Sequence, residues 1–260
     1  MLNDDDRARA ASLLLEAERS GVPTTQLDQA FPGIEIADAY AIQQRNIDQK
    51  IADGAKLRGH KIGLTSKAMQ STVGIDEPDY GHLLDTMFFQ DGQTIPTDKL
   101  IVPRVEVELA FVLGKPLRGP DVSLFDVLDA TDYVVPALEL IDGRSKYPRR
   151  IVDNIADNAA CAGIVLGGRP VRPMDIDLRW VGALLLKNGV IEESGVSAAV
   201  LGHPALGIAW LANKLAQHDA GLEAGHVVLA GSFTRTVAVK RGDTLHADYG
   251  KLGSISVHFS

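Results

Sequence analysis

Residues 105–113 read Val105-Glu106-Val107-Glu108-Leu109-Ala110-Phe111-Val112-Leu113. The β-branched and large apolar residues predict a strand, in which side chains at i and i+2 share a face, so Glu106 and Glu108 project side by side. Removing two adjacent like charges from water is costly unless a cation or a shared proton accompanies them. A third acid, Glu139, lies in a similar run, Val134-Val135-Pro136-Ala137-Leu138-Glu139-Leu140-Ile141. Three carboxylates aimed inward from two strands would suit a hard divalent cation, Mg²⁺ or Mn²⁺. The alternative is a wet strand face. Against it, Ala110 and Val112 continue the face of the glutamates, where a solvated face more often carries Lys, Thr or Ser. Glu-x-Glu is common by chance, and the spacing alone leaves both readings open.

The chain has 260 residues, 45% hydrophobic and 23% charged, the profile of a globular protein. Its net charge of −8 and the lack of any Lys/Arg run argue against nucleic acid or an anionic membrane as partner. Small ligands are the expected clients. The acidic start Met1–Asp6 lacks the basic and apolar regions of a signal peptide, and no apolar run reaches the length of a membrane span. With a single cysteine, Cys161, among alanines and Gly163, the expected location is the cytoplasm and the expected role of the thiol is packing.

The first third predicts helices: one from Asp4 to Arg19, stopped by Gly21 and Pro23, and one from an Asp38 N-cap to Asp53, with Tyr40, Ile47 and Ile51 on one face. Arg58–Leu64 predicts a strand, Ser66 caps a brief helix, and Val73–Asp98 is turn-rich. Ser123 and Asp126 form a capping-box pattern. Asn188-Gly189 between apolar runs predicts a hairpin, and a helix follows from Pro204. Strands are expected over 227–230, 236–240, 244–249 and 255–259. The fold class is α+β: a helical N-terminal region (1–56) on a predominantly β body (57–260).

Other residues carry chemistry with ordinary alternatives beside them. Lys61 sits between Gly59 and Gly63, which would let a ligand or another backbone approach; a lysine there can polarise an oxyanion or simply snorkel at a strand edge. Asp79, in Glu77-Pro78-Asp79-Tyr80-Gly81, reads first as a turn acid. Ser232, Thr234 and Arg235 could grip a carboxylate or form an ordinary turn. The seven histidines show no ligand spacing, and phosphate-loop, dinucleotide, metalloprotease and nucleophile-elbow motifs are absent.

These segments together resemble the hydratase/decarboxylase branch of the fumarylacetoacetate hydrolase superfamily over nearly the whole chain. The resemblance is carried by Gly59–Gln70, Glu77–Gly81, Arg104–Phe111, Pro136–Asp142, Asp157–Ala159, Leu201–Pro204 and Gly231–Arg235. It implies a mixed β-roll body, a Mg²⁺ or Mn²⁺ cofactor held by Glu106, Glu108 and Glu139, and homo-oligomers built from dimers. Lys61 and Asp79 would be the acid/base pair, with Ser232, Thr234 and Arg235 toward the substrate. The implied activity is that of a lyase adding water to a 2-hydroxy-2,4-dienoate or 2-oxo-4-enoate in aromatic catabolism. Lys61–Gln70 and Gly231–Arg235 favour the members acting on a seven-carbon dioate of the homoprotocatechuate route. Hydration of a five-carbon acid, decarboxylation of 4-oxalocrotonate and a non-catalytic partner subunit are the alternatives. Between Arg144 and Asn154 the chain is shorter than expected of the dioate hydratases.

Overall fold

The computed structural model describes residues 1–260, apart from the side chains of Ala68 and Val73. In chain order the elements are α1 (Asp4–Ser20), α2 (Leu27–Ala30), α3 (Ile36–Ala52), β1 (Leu57–Gly63), α4 (Lys67–Val73), β2 (Asp79–Leu84), β3 (Phe88–Gln90) and β4 (Thr94–Ile95). There follow β5 (Arg104–Leu113), α5 (Leu124–Ala130), β6 (Thr131–Ile141), α6 (Ile151–Ala156), β7 (Cys161–Leu166), β8 (Gly182–Lys187) and β9 (Val190–Val196). The chain closes with α7 (Ala205–Ala216), β10 (Val227–Leu229), β11 (Val237–Ala238), β12 (Thr244–Asp248) and β13 (Ser254–Phe259). The expected α+β arrangement, helices followed by mixed sheets, is what the chain adopts.

The first sheet runs β2-β1-β10-β5-β6-β7-β3, with β11 alongside the start of β5; the second runs β4-β13-β12-β8-β9. Both are mixed, since β1 pairs parallel to β10, β3 to β7 and β4 to β13. β5 is covered on both faces. Val105, Val107, Leu109, Phe111 and Leu113 enter the main core with the second sheet and α7, while Ala110 and Val112 join a separate apolar cluster on the other face. Gly59 has a φ of +151°, and a Cβ there would lie 1.8 Å from the Val227 carbonyl oxygen, so the approach that glycine permits is that of β10.

The helical layer follows its caps. The Asn3 side chain accepts from Asp6 N–H, three aspartates occupy the first turn of α1, and Gly21 closes it at a φ of +68°. In α3 the N-cap is Glu35, and Asp38 sits at the third helical position. Its carboxylate is taken up by the backbone N–H groups of Leu2 and Glu35 and by the Arg7 guanidinium. Ile51 is exposed; the buried stripe is Ala39, Ile42, Gln43 and Ile47. The core under these helices is completed by Val152, Ile155 and Ala156 of α6, so the helical region and the β body share that helix.

Two segments differ from expectation. The stretch read as turns contains β2, with all six residues buried, and the region after Arg150 contains α6 and β7. Polar Asp79 and His82 interrupt the apolar signature of β2, and α6 is too short for a helical period to register. The Asn188-Gly189 hairpin is present, with both residues at positive φ as a type I′ turn requires. Among the described residues no helix is long and apolar enough to cross a membrane.

Asp38 generates a prediction. Burial alone would raise its pKa, but the hydrogen bonds from Glu35 N–H, Arg7 and Leu2 N–H outweigh burial and hold it below the usual carboxylate value. Its stabilisation is therefore complete above the unfolded-state pKa and lost as pH falls through the lower folded pKa. Asp38→Asn is expected to cost about 2 kcal/mol at neutral pH. Denaturant titrations should show the variant and parent converging under acid; a constant gap across pH would contradict the assignment.

Candidate metal centre

The registers of two strand pairs assemble the site. Glu106 stands opposite Glu139 across β5 and β6, and Glu108 lies two residues further along the same face of β5. Carboxylate oxygens of Glu106, Glu108 and Glu139 lie within 4.8 Å of one another. Glu108 and Glu139 are fully buried and Glu106 half-buried, so the site opens toward the start of β5. From β1, which β10 separates from β5 in the sheet, buried Lys61 places Nζ 3.2 Å from Glu139 Oε1 and donates to the Ala159 carbonyl at 3.1 Å.

Asp79, at the start of β2, pairs in register with Gly63 of β1. A Cβ on Gly63 would fall 2.2 Å from Asp79 Oδ1 and 3.4 Å from Lys61 Nζ, so the missing side chain is what lets this carboxyl sit beside the lysine. Asp79 Oδ2 accepts from Asn154 Nδ2 at 2.7 Å, whereas Oδ1 is buried without a hydrogen bond. Glu108 Oε1 and both Glu139 oxygens are likewise buried without a hydrogen bond among the described residues, Lys61 facing Glu139 Oε1 as an ion pair. Glu108 Oε2 accepts from Gly231 N–H at 2.8 Å. Buried carboxylate oxygens without donors are rare and expensive, and a cluster of them is the donor set a hard cation takes.

The electrostatics agree. Burial, then the Glu139 charge, push Glu106 up to about 7, with Lys61 pulling the other way. Burial followed by Glu139 and Glu106 drives Glu108 further above the usual carboxylate range. Asp79 is raised by burial, opposed by Lys61 and the Asn154 hydrogen bond. Burial would lower Lys61, but the charges of Glu139, Asp79 and Glu106 outweigh it and raise its pKa, keeping it an ammonium. Burial likewise pushes the Cys161 thiol up, in keeping with a packing residue.

Ser232 Oγ is engaged with the carbonyls of Val107 and Thr234, and Thr234 Oγ1 is buried without a hydrogen bond. Arg235 is not brought to the glutamates. Its side chain is 86% exposed and pairs with Glu193 of β9 at 2.9 Å. It lies in the irregular segment before β11, and its ion pair with Glu193 holds the guanidinium toward β9.

Sequence reasoning missed three supports. Asn154 belongs to a helix without a sequence signature. Asn158, Ala159 and Ala160 have φ values of 52°, 49° and 59°, a strained turn that aims the Ala159 carbonyl at Lys61 and holds the backbone of His82 through the Asn158 amide. Tyr249, from the second sheet, donates its hydroxyl to the carbonyls of Ala137 (2.6 Å) and Glu108 (3.1 Å), pinning the two glutamate strands.

Residues 57–260 match the fumarylacetoacetate (FAA) hydrolase C-terminal family. The chain is 60% identical to a 2-oxo-hept-4-ene-1,7-dioate hydratase of Escherichia coli, over 94% of this chain and 93% of that one. It is 40% identical to a 2-keto-4-pentenoate hydratase of Paraburkholderia xenovorans, covering 99% and 96%. The solved 4-oxalocrotonate decarboxylase of Pseudomonas putida G7, complexed with magnesium and adipate, superposes with a TM-score of 0.97 at 37% identity, covering 100% of this chain and 99% of that one. The chain belongs to the fumarylacetoacetate hydrolase family.

Proposed function

We propose that the protein is a divalent-metal-dependent hydro-lyase that adds water to a 2-hydroxy-2,4-dienoate or its 2-oxo-4-enoate tautomer, the preferred substrate being 2-oxo-hept-4-ene-1,7-dioate. The observation that carries this reading is the buried cluster Glu106, Glu108 and Glu139 with Lys61 and Asp79 against it, in a chain 60% identical to a hydratase of that substrate. The three glutamates would hold Mg²⁺ or Mn²⁺. When bound, the ion supplies a Lewis acid and a template for the substrate's C1 carboxylate and C2 oxygen.

The remaining chemistry falls to the chain's own groups. Lys61, held as an ammonium between Glu139 and Ala159, is placed to stabilise the negative charge that develops on the substrate oxygen as water adds to the conjugated enone. Asp79 has one oxygen fixed by Asn154 and the other free, which suits a group that takes up and returns a proton at a defined position. The raised pKa of that carboxyl brings it closer to the range in which such exchange is efficient. We further assign the protein to the cytoplasm as a homo-oligomer built from dimers, with no nucleic-acid or membrane partner; the net charge of −8 supports the last point.

Decarboxylation of 4-oxalocrotonate is a second reading, favoured by the TM-score of 0.97 to that decarboxylase. Product analysis separates the two: 4-hydroxy-2-oxoheptanedioate supports hydration, and carbon dioxide release supports decarboxylation.

Stripping divalent ions should abolish turnover of the dienol followed by ultraviolet absorbance, and Mg²⁺ or Mn²⁺ should restore it. Full activity without a divalent ion would exclude the metal-dependent mechanism. Glu106→Gln should weaken Mn²⁺ binding by at least the about 10–100-fold seen on loss of outer ligand partners. Asp79→Asn and Lys61→Ala should each lower kcat by about 10²–10⁴-fold with Mn²⁺ still bound. A Lys61→Ala enzyme with normal turnover would remove the lysine from the mechanism.

A further inference from the structure

A seven-carbon dioate carries a second carboxylate, and the face of β5 that bears Glu106 and Glu108 continues outward to a cation. Residues 104, 106 and 108 share that face by the period of two. Burial falls along it: Glu108 is fully buried, Glu106 and Arg104 are half-buried, and Val102 beyond the strand is exposed. The face therefore runs from the carboxylate cluster to solvent, with Arg104 at its outer end.

The cations around the site differ in what they already hold. Lys61 is paired with Glu139. Arg144 and Arg149 share Asp157 and also donate to backbone carbonyls, and Arg235 is paired with Glu193. Arg104 forms no ion pair among the described residues. Its one hydrogen bond there runs from Nε to Thr236 Oγ1 at 2.7 Å, which fixes the plane of the guanidinium and leaves its two terminal amino groups open. A half-buried guanidinium with a free fork at the outer end of the face that bears the carboxylate cluster has the donor geometry that a carboxylate accepts in bidentate fashion. Two strand residues span about 6.7 Å. That spacing is of the order of the separation between the carboxylates of an extended seven-carbon diacid.

We propose that Arg104, oriented by Thr236, binds the distal carboxylate of the dioate and sets the preference for dianionic over monoanionic substrates. The assignment rests on the proposed hydratase reading for the substrate class, but its test does not depend on turnover. With Mg²⁺ present, calorimetry should show the parent protein binding heptanedioate more tightly than heptanoate. Arg104→Met should weaken heptanedioate by about 30-fold or more and heptanoate by less than about threefold, the loss expected for one partner of a desolvated charge pair. Arg104→Lys should fall between, keeping the charge without the fork, and Thr236→Val should give a smaller loss in the same direction. Equal losses for both acids, or no loss for either, would overturn the assignment, as would a parent protein with no preference for the diacid. If the diacid preference disappears in Arg104→Met while neither the five- nor the seven-carbon dienol is hydrated by the parent, the arginine assignment stands and the proposed reaction fails. If both dienols are hydrated and Arg104→Met loses kcat/KM equally on each, the reaction stands and the arginine assignment fails.

Discussion

Four buried or half-buried acids and one lysine share a single space between β1, β2, β5 and β6, and the surrounding structure is organised around keeping them there. Lys61 offsets part of the charge through Glu139, yet Glu106, Glu108 and Asp79 remain, and an uncompensated buried charge costs several kcal/mol. A divalent cation held by the three glutamates, as proposed, would offset most of the remainder. Burial and the mutual repulsion of the glutamates push the Glu106 and Glu108 carboxyls upward. The scaffold accepts this tension at fixed points: the hydroxyl of Tyr249 on the carbonyls of Ala137 and Glu108, and the left-handed run Asn158–Ala160.

How much of this was legible in the sequence depends on whether a feature is periodic. The Glu106/Glu108 pair was readable because a strand has a period of two, and Ala110 and Val112 marked the face as dry. Glu139 was readable because it interrupts an apolar run. Asp79 looked like a turn acid, since Pro78 and Gly81 flank it and nothing local says that β2 is buried on all six residues. Asn154 and the Ala159 carbonyl could not be read at all, because their roles depend on where α6 and the following turn cross β1 and β2. Ser232, Thr234 and Arg235 show the converse. Residue types suited to a carboxylate are visible there, but the direction each side chain takes in an irregular segment, as in the pairing of Arg235 with Glu193, is not written in its composition.

The same logic separates chemistry from selectivity along β5. The inner end of its site face bears the glutamates and is closed by Lys61, β6 and the Gly231 backbone, so under the proposed function a change there would alter the chemistry itself. The outer end, from Glu106 to Arg104, is more exposed and meets the segment before β11 through the Arg104–Thr236 hydrogen bond and the β11 pairing.

The helical layer is tied into this arrangement. Buried Gln43 of α3 donates through Nε2 to the Tyr80 carbonyl at 3.0 Å and to the Ile155 carbonyl at 2.7 Å, joining β2 to α6 in one contact. Tyr80 adjoins Asp79, and Ile155 adjoins the Asn154 that fixes Asp79 Oδ2. The opposite side of α6 completes the apolar core beneath α1, α2 and α3 through Val152, Ile155 and Ala156. A shift of the N-terminal helices is therefore transmitted, through one buried amide and one short helix, to both ends of the Asp79–Asn154 hydrogen bond. The N-terminal helices thus help to hold Asp79 and Asn154 in place, although among the described residues the carboxylate cluster itself comes from β5 and β6.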